Sequence, residues 1–326
     1  MRAICFSHSE KQRRRHAFAL RYEVLPDRAV AQTGPTCGRY GLFVLRIPAI
    51  SGRIDPKEGD TVPNKNDYIA VFDSGVGGIS VLRHLRREMP GERFLYFGDS
   101  ANAPYGTRPT EQIQALTTAA AEMLMGRGIK ALVLACNTAT AAAAKSLRLR
   151  FPDTIIIGIE PALKLAADRF PGGTVGVMAT PATLREGKFA RLMERCDQCQ
   201  VVKLPAPGLV ELVEAGKADS HETEQLLRQL LQPWEGKLDA IVLGCTHYPF
   251  ARDMIRKLLG RECAILDGGH GTAIHTRRRL EGEDLLREGP GEVIIENSTD
   301  DPKLIALCHR LLEDREQDEE GAYHGS

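Results

Sequence analysis

The chain has 326 residues, 43% of them hydrophobic, with 43 basic and 43 acidic side chains. Those figures suit a globular protein of about two domains and exclude the Lys/Arg-dominated footprint of a nucleic-acid-binding domain. No apolar run approaches the roughly 20 residues of a membrane helix, and eight scattered cysteines do not make a disulfide scaffold at this length; a soluble, cytoplasmic protein with reduced thiols is expected.

Residues 1–66 differ from the rest of the chain. They carry Arg13-Arg14-Arg15, several prolines and glycines and little periodicity, and Asp/Glu are nearly absent from the first 22 positions. This start reads as an N-terminal extension that is disordered or that stems from a translation start placed too far upstream. An Arg-rich, acid-poor transit peptide is the other reading. From Tyr68 onward, aliphatic runs predict strands over Tyr68–Asp73, Arg93–Gly98, Ala131–Cys136, Thr154–Ile159, Thr174–Ala179, Gln200–Leu204, Leu238–Cys245 and Glu292–Ile295. Amphipathic stretches such as Ile79–Met89 and Pro181–Arg195 predict helices between them, and Pro161 and Pro181 suit first helical turns. Such alternation argues for an α/β fold of doubly wound, mostly parallel sheets. After Leu312 the tail turns acidic and reads as disordered.

Two landmarks repeat. Ile69-Ala70-Val71-Phe72-Asp73 precedes Val175-Gly176-Val177-Met178-Ala179 by 106 residues, and the strands ending at Cys136 and Cys245 lie 109 apart. Two similar halves are expected, with ligands beyond the carboxyl ends of their strands. If the halves face each other, Cys136 and Cys245 meet in the cleft. Either thiol alone would more often be core packing; the matched pair reverses that. A helix N-terminus after each sulfur favours thiolate, and the N–H groups behind Asn137, Thr138 and Thr246 suit a carboxylate as well as a cap.

Other polar residues cluster at strand tips. Asp73 opens Ser74-Gly75-Val76-Gly77-Gly78, which is not a dinucleotide fingerprint; its glycines read as a tight turn. Asp73 would orient or deprotonate a thiol, bind an ammonium group, or only cap a helix. Asp99 and Pro104-Tyr105-Gly106 follow the second strand, the latter as a turn. His247 stands two residues from Cys245 and would help charge it. Glu211 and Glu214 read as helical carboxylates, a class usually solvated. His270 and His275 lack one-face ligand spacing, so no metal site is expected. Cys196-Asp197-Gln198-Cys199 reads as chance spacing, with no second pair to complete a zinc site.

These motifs resemble the bacterial glutamate racemases of the cofactor-independent amino-acid racemase superfamily. The resemblance runs from about Tyr68 to Leu312. It rests on Phe72-Asp73-Ser74-Gly75-Val76-Gly77-Gly78, Gly98-Asp99-Ser100, Pro104-Tyr105-Gly106, Ala135-Cys136-Asn137-Thr138-Ala139, Gly158-Ile159-Glu160-Pro161, Ala179-Thr180-Pro181-Ala182-Thr183 and Gly244-Cys245-Thr246-His247-Tyr248-Pro249. It implies interconversion of L- and D-glutamate without cofactor, feeding peptidoglycan synthesis, by two bases on opposite faces of Cα. It further implies that Cys136 serves D-glutamate with Asp73 assisting, and Cys245 serves L-glutamate with His247 assisting. Asp99 and Glu214 match acidic positions implicated in catalysis. Asp73, Ser74, Tyr105, Gly106, Asn137, Thr138, Thr180, Thr246 and His247 would hold the substrate.

The fold expected with it is two parallel-sheet domains related by a pseudo-twofold axis, with the site between them. The domain plan is 67–160 plus 267–312 for the first and 161–266 for the second, with 313–326 as tail. A homodimer is implied, and no membrane partner. One thiolate and one thiol must coexist, so a bell-shaped pH profile is expected. Rival readings are an aspartate or broad-specificity racemase, a protein that regulates DNA gyrase through the basic start at Arg13–Arg15, and a thiol redox protein with a Cys136–Cys245 disulfide.

Overall fold

The aliphatic runs form parallel strands. In a computed structural model, residues 63–159, 162–185, 193 and 198–313 are described, with the backbone of two short strands near the start. The chain divides into two compact units, Met1–Arg53 and Ile54–Ser326. In the first, β1 (Arg2–Ile4) pairs antiparallel with β2 (Tyr22–Val24). Arg13–Arg15, Glu160, Pro161, Cys196 and the acidic tail beyond Glu313 lie outside the described residues, as does most of the predicted helix beyond Pro181–Arg185.

The second unit holds two sheets. One contains β3 (Ile69–Asp73), β4 (Arg93–Gly98), β5 (Ala131–Leu134), β6 (Ile155–Gly158) and β11 (Glu292–Asn297) in the order β11-β4-β3-β5-β6, all parallel. The other contains β7 (Thr174–Ala179), β8 (Gln200–Pro205), β9 (Ala240–Leu243) and β10 (Ala264–Asp267) in the order β10-β9-β7-β8, also parallel. Parallel neighbours need crossovers, and helices such as Ile79–Glu88 and Asn137–Arg150 supply them. Every residue of β3, β5, β6 and β9 is buried, so these strands read as continuous apolar runs rather than alternating ones.

The repeat seen in the sequence is topological. The run β4-β3-β5-β6 in one sheet matches β8-β7-β9-β10 in the other. The 106-residue offset relates the two first strands, β3 and β7, and each cysteine follows the third strand of its set. In such an order the strand sequence reverses direction between the first and third strands, and ligands bind at that point beyond the carboxyl ends.

Some expectations need correction. β10, only Ala-Ile-Leu-Asp, was not predicted as a strand. Predicted strands end early: β5 stops at Leu134 and β9 at Leu243, which frees both cysteines from the ladders. Cys245 is not followed directly by an α-helix; a short 3₁₀ turn, Tyr248–Ala251, comes first. Among the described residues, no helix is long and apolar enough to cross a membrane.

One polar anchor lies beneath the first sheet. Lys130 and Glu92 are fully buried and bond at 2.6 Å. The Lys130 ammonium also donates to the Lys65 and Leu285 carbonyls at 2.8 and 2.9 Å, so all three of its donors are used.

Candidate active site

The two cysteines converge. Cys136 and Cys245 both line one cavity of about 650 Å³, the open solvent at its mouth included. Of the residues expected at the site, Ser74, Tyr105, Gly106, Asn137, Thr138, Thr180, Glu214, Thr246 and His247 also line it. Asp73 and Asp99 do not; they stand behind the wall. Pro181, Pro207, Gly208, Val210 and Glu211 line it as well.

The two sulfurs have different surroundings. Cys136 is the residue that caps the helix Asn137–Arg150, and its Sγ accepts from the Ala139 N–H at 3.5 Å. The helix terminus alone would favour thiolate. Burial wins instead: with the Asp73 charge nearby, it pushes the Cys136 thiol up to about 12. The expected thiolate preference is therefore overturned at this position, and Cys136 carries its proton at neutral pH.

Cys245 faces a charged partner. Its Sγ lies 3.7 Å from His247 Nδ1, and His247 Nε2 donates to Glu214 Oε1 at 2.7 Å. Burial opposes charge on His247, but the contacts with Cys245 and Glu214 outweigh it and raise the imidazole well above its ordinary value. Glu214 answers in kind. Burial would raise its carboxyl, yet the His247 bond and an N–H from Val76 at 2.8 Å hold it below the usual range. An imidazolium beside a sulfur stabilises negative charge on it. Glu214, for which helix position alone suggests a solvated carboxylate and the family resemblance a catalytic role, is a mostly buried ion-pair partner, while Glu211 on the same short helix stays exposed.

Two glycines owe their place to this pair. A Cβ on Gly75 would stand 1.8 Å from Glu214 Oε1, and one on Gly77 would stand 2.3 Å from His247 Nδ1. Close approach, not the tight turn expected from the sequence, requires these two glycines.

Asp73 is fully buried and accepts from Gly75 N–H and from the Thr246 hydroxyl, each at 2.9 Å. Burial pushes its carboxyl up, and His247 and the two bonds pull it partly back. Asp99 accepts from the Tyr105 hydroxyl at 2.7 Å, which fixes that ring at the cavity wall. Thr183, unnoticed in the sequence as a site residue, accepts from the Thr180 hydroxyl at 2.9 Å and lies 3.0 Å from Thr138 Oγ1. It joins hydroxyls contributed by the two sheets. Nothing in local sequence marks it, apart from its place in Thr180-Pro181-Ala182-Thr183.

A family model described as Asp/Glu/hydantoin racemase matches residues 77–274. The chain belongs to that family. A glutamate racemase of Clostridium perfringens is 46% identical over 253 residues, 76% of this chain and 97% of the relative. A glutamate racemase of Thermus thermophilus, solved in complex with β-chloro-D-alanine, is 37% identical with a TM-score of 0.67, covering 76% of this chain and 94% of that one. An Escherichia coli glutamate racemase, solved with L-glutamate and the activator UDP-MurNAc-Ala, is 30% identical with a TM-score of 0.69, covering 76% and 95%. The protein is accordingly an enzyme of the racemase class, with the two parallel sheets of its relatives. The cysteines described are all free, so the racemase cavity holds two thiols and no disulfide.

Proposed function

We propose that this enzyme interconverts L- and D-glutamate by direct proton transfer between Cα and two cysteine sulfurs, without a cofactor. The observation that carries the reading is the unlike state of two thiols in one cavity: Cys136 held protonated by burial, Cys245 beside an imidazolium. This pairing is set for L-glutamate. Cys245 thiolate takes the Cα proton, and the Cys136 S–H delivers its own to the opposite face. The product leaves the two sulfurs with their protonation reversed. Neutral enzyme resets by returning a proton from Cys245 to Cys136 through solvent or substrate groups.

The carbanionic intermediate needs preorganised donors and little water. Asn137 brings its side-chain amide to the cavity wall, suited to a carboxylate, and Thr138, Thr180 and Thr246 line it with hydroxyls held in place by Thr183 and Asp73. Asp73 acts from behind Thr246, and Asp99 from behind Tyr105. Each proton-transfer group contributes roughly 10²–10⁴-fold. The relatives' glutamate names support the substrate. We assign the product to peptidoglycan synthesis in the cytoplasm, the enzyme to a homodimer, and the domains to 67–160 with 267–312 and to 161–266.

The test is incubation of the purified chain with L-glutamate in deuterated water, with no added cofactor. D-glutamate carrying deuterium at Cα is expected. Absence of both exchange and inversion from a folded sample, while aspartate is turned over, would replace glutamate by the shorter substrate.

A further inference from the structure

Behind the His247–Glu214 pair a line of hydrogen bonds continues away from the cavity, and its direction is determined. Thr299 donates twice to Asn297 Oδ1, from its N–H at 3.0 Å and its hydroxyl at 2.8 Å. Two donors on that oxygen leave the Asn297 amide nitrogen as the other end. It donates to Ser100 Oγ at 2.9 Å. Having accepted there, Ser100 turns its single proton elsewhere, and Glu214 Oε2 lies 3.4 Å away. The other Glu214 oxygen takes His247 Nε2 and Val76 N–H.

The backbone explains why these residues meet. β11 pairs with β4 in a register that sets Asn297 beside Gly98, at the carboxyl ends of both strands. Ser100 follows two residues later in a short turn. Asn297 is 1% exposed, so its amide has no water to satisfy it, and its protein partners account for its bonding. Neither Ser100 nor Asn297 lines the cavity.

We propose that Ser100 and Asn297 are positioning residues: the ordered line Thr299–Asn297–Ser100 keeps Glu214 a carboxylate acceptor for His247, and so sets the charge available at Cys245. This rests on Cys245 being the acid–base group proposed above. The other titratable groups whose charge reaches the line are Asp73, Tyr96 and Cys308 about Glu214, and Cys136 and Tyr248 about Cys245. None of these donates to Glu214 Oε2. The Ser100 link is long, so its loss shifts the site rather than abolishing it.

The test is the pH dependence of iodoacetamide labelling at Cys245, read by peptide mass, in the full chain and in Ser100→Ala, Ser100→Thr and Asn297→Asp. Labelling reports the thiolate whether or not glutamate is the substrate. The midpoint should move up by about half a pH unit in Ser100→Ala, about a threefold change in the thiolate equilibrium. Ser100→Thr, which restores a hydroxyl, should return it. Asn297→Asp, which draws the Ser100 proton to itself, should move it as Ser100→Ala does. An unmoved midpoint in Ser100→Ala overturns the proposal, as does a shift that persists in Ser100→Thr. A wild-type chain inactive on glutamate that still shows the shift removes the substrate assignment and leaves the relay.

Discussion

Thr246 donates its hydroxyl to the Asp73 carboxylate at 2.9 Å, joining residues 173 positions apart and the two sheets of the enzyme. Asp73 ends the first strand of one set, and Thr246 follows the third strand of the other. The cleft is thus closed at its base by a hydrogen bond, with each cysteine beside one of its partners in sequence or space.

Asp73 is costly to ionise. Its folded carboxyl titrates above the unfolded one because it is buried. The stability it contributes is therefore full at acid pH and is lost as pH rises through its folded value. Asp73→Asn should melt at an equal or higher temperature than wild type at pH 7, while losing about 10²-fold or more in kcat/KM. Calorimetry and a coupled racemase assay measure the two effects. A variant that is both unstable and active would contradict this placement.

The two thiols should fail together. Cys136→Ala and Cys245→Ala are each expected to lower racemisation by at least about 10³-fold, with far-UV circular dichroism unchanged. Enantiomers have equal free energy, so kcat/KM must fall equally in both directions for every variant. A cysteine variant that keeps one direction at wild-type kcat/KM would point to a contaminating activity. In the wild type at pH 8, iodoacetamide should reach Cys245 before Cys136, because burial holds the Cys136 proton.

Alkaline pH should weaken the fold through Cys308. Its thiol is buried in the C-terminal helix and pushed from 9.0 to about 12. The folded state holds this proton more tightly than the unfolded chain does. Its contribution is complete below about pH 9 and is lost as pH rises from there toward 12, at about 1.4 kcal/mol per pH unit. Urea melts at pH 8.5 and 10.5 should show a shallower pH dependence in Cys308→Ala than in wild type. Identical slopes would mean the thiol is not held protonated.

Room beside the ion pair is the reason for two glycines. Gly75→Ala and Gly77→Ala should each reduce kcat/KM by about 10-fold or more, since the new methyl displaces Glu214 or His247. Thermal stability should fall by only a few degrees in Gly75→Ala, where the crowded atoms end the Glu214 side chain, and by more in Gly77→Ala, where the methyl meets the buried His247 ring and Thr246 hydroxyl. A Gly77→Ala enzyme with wild-type kinetics would show that His247 is not held where the structure has it.

Much of this enzyme was legible in its sequence, and the limits follow the range of the forces involved. Aliphatic runs marked eight of the strands, most plainly β3, β5, β6 and β9, because burial of a parallel strand on both faces leaves its signature within a few consecutive residues. Ala264–Asp267 escaped because four residues carry too little of that pattern. The cysteine motifs and the repeat located both thiols and most of the cavity wall. Helix pattern did not distinguish Glu214 from Glu211, which only the family resemblance separated, since both stand on one helix and only one meets His247. The same holds for the partners of Asp73 and Asp99, since only the folded chain brings Thr246 to the one and turns the Tyr105 hydroxyl to the other.

The sequence by itself determined the α/β class, the twofold repetition and the pairing of Cys136 with Cys245, because local apolar pattern and short motifs encode them. Only the tertiary structure decided that burial holds the Cys136 proton and that Glu214 is the carboxylate that meets His247. Those outcomes depend on desolvation and on contacts between residues that are far apart in the chain, quantities that exist only once the two sheets have closed on one cavity.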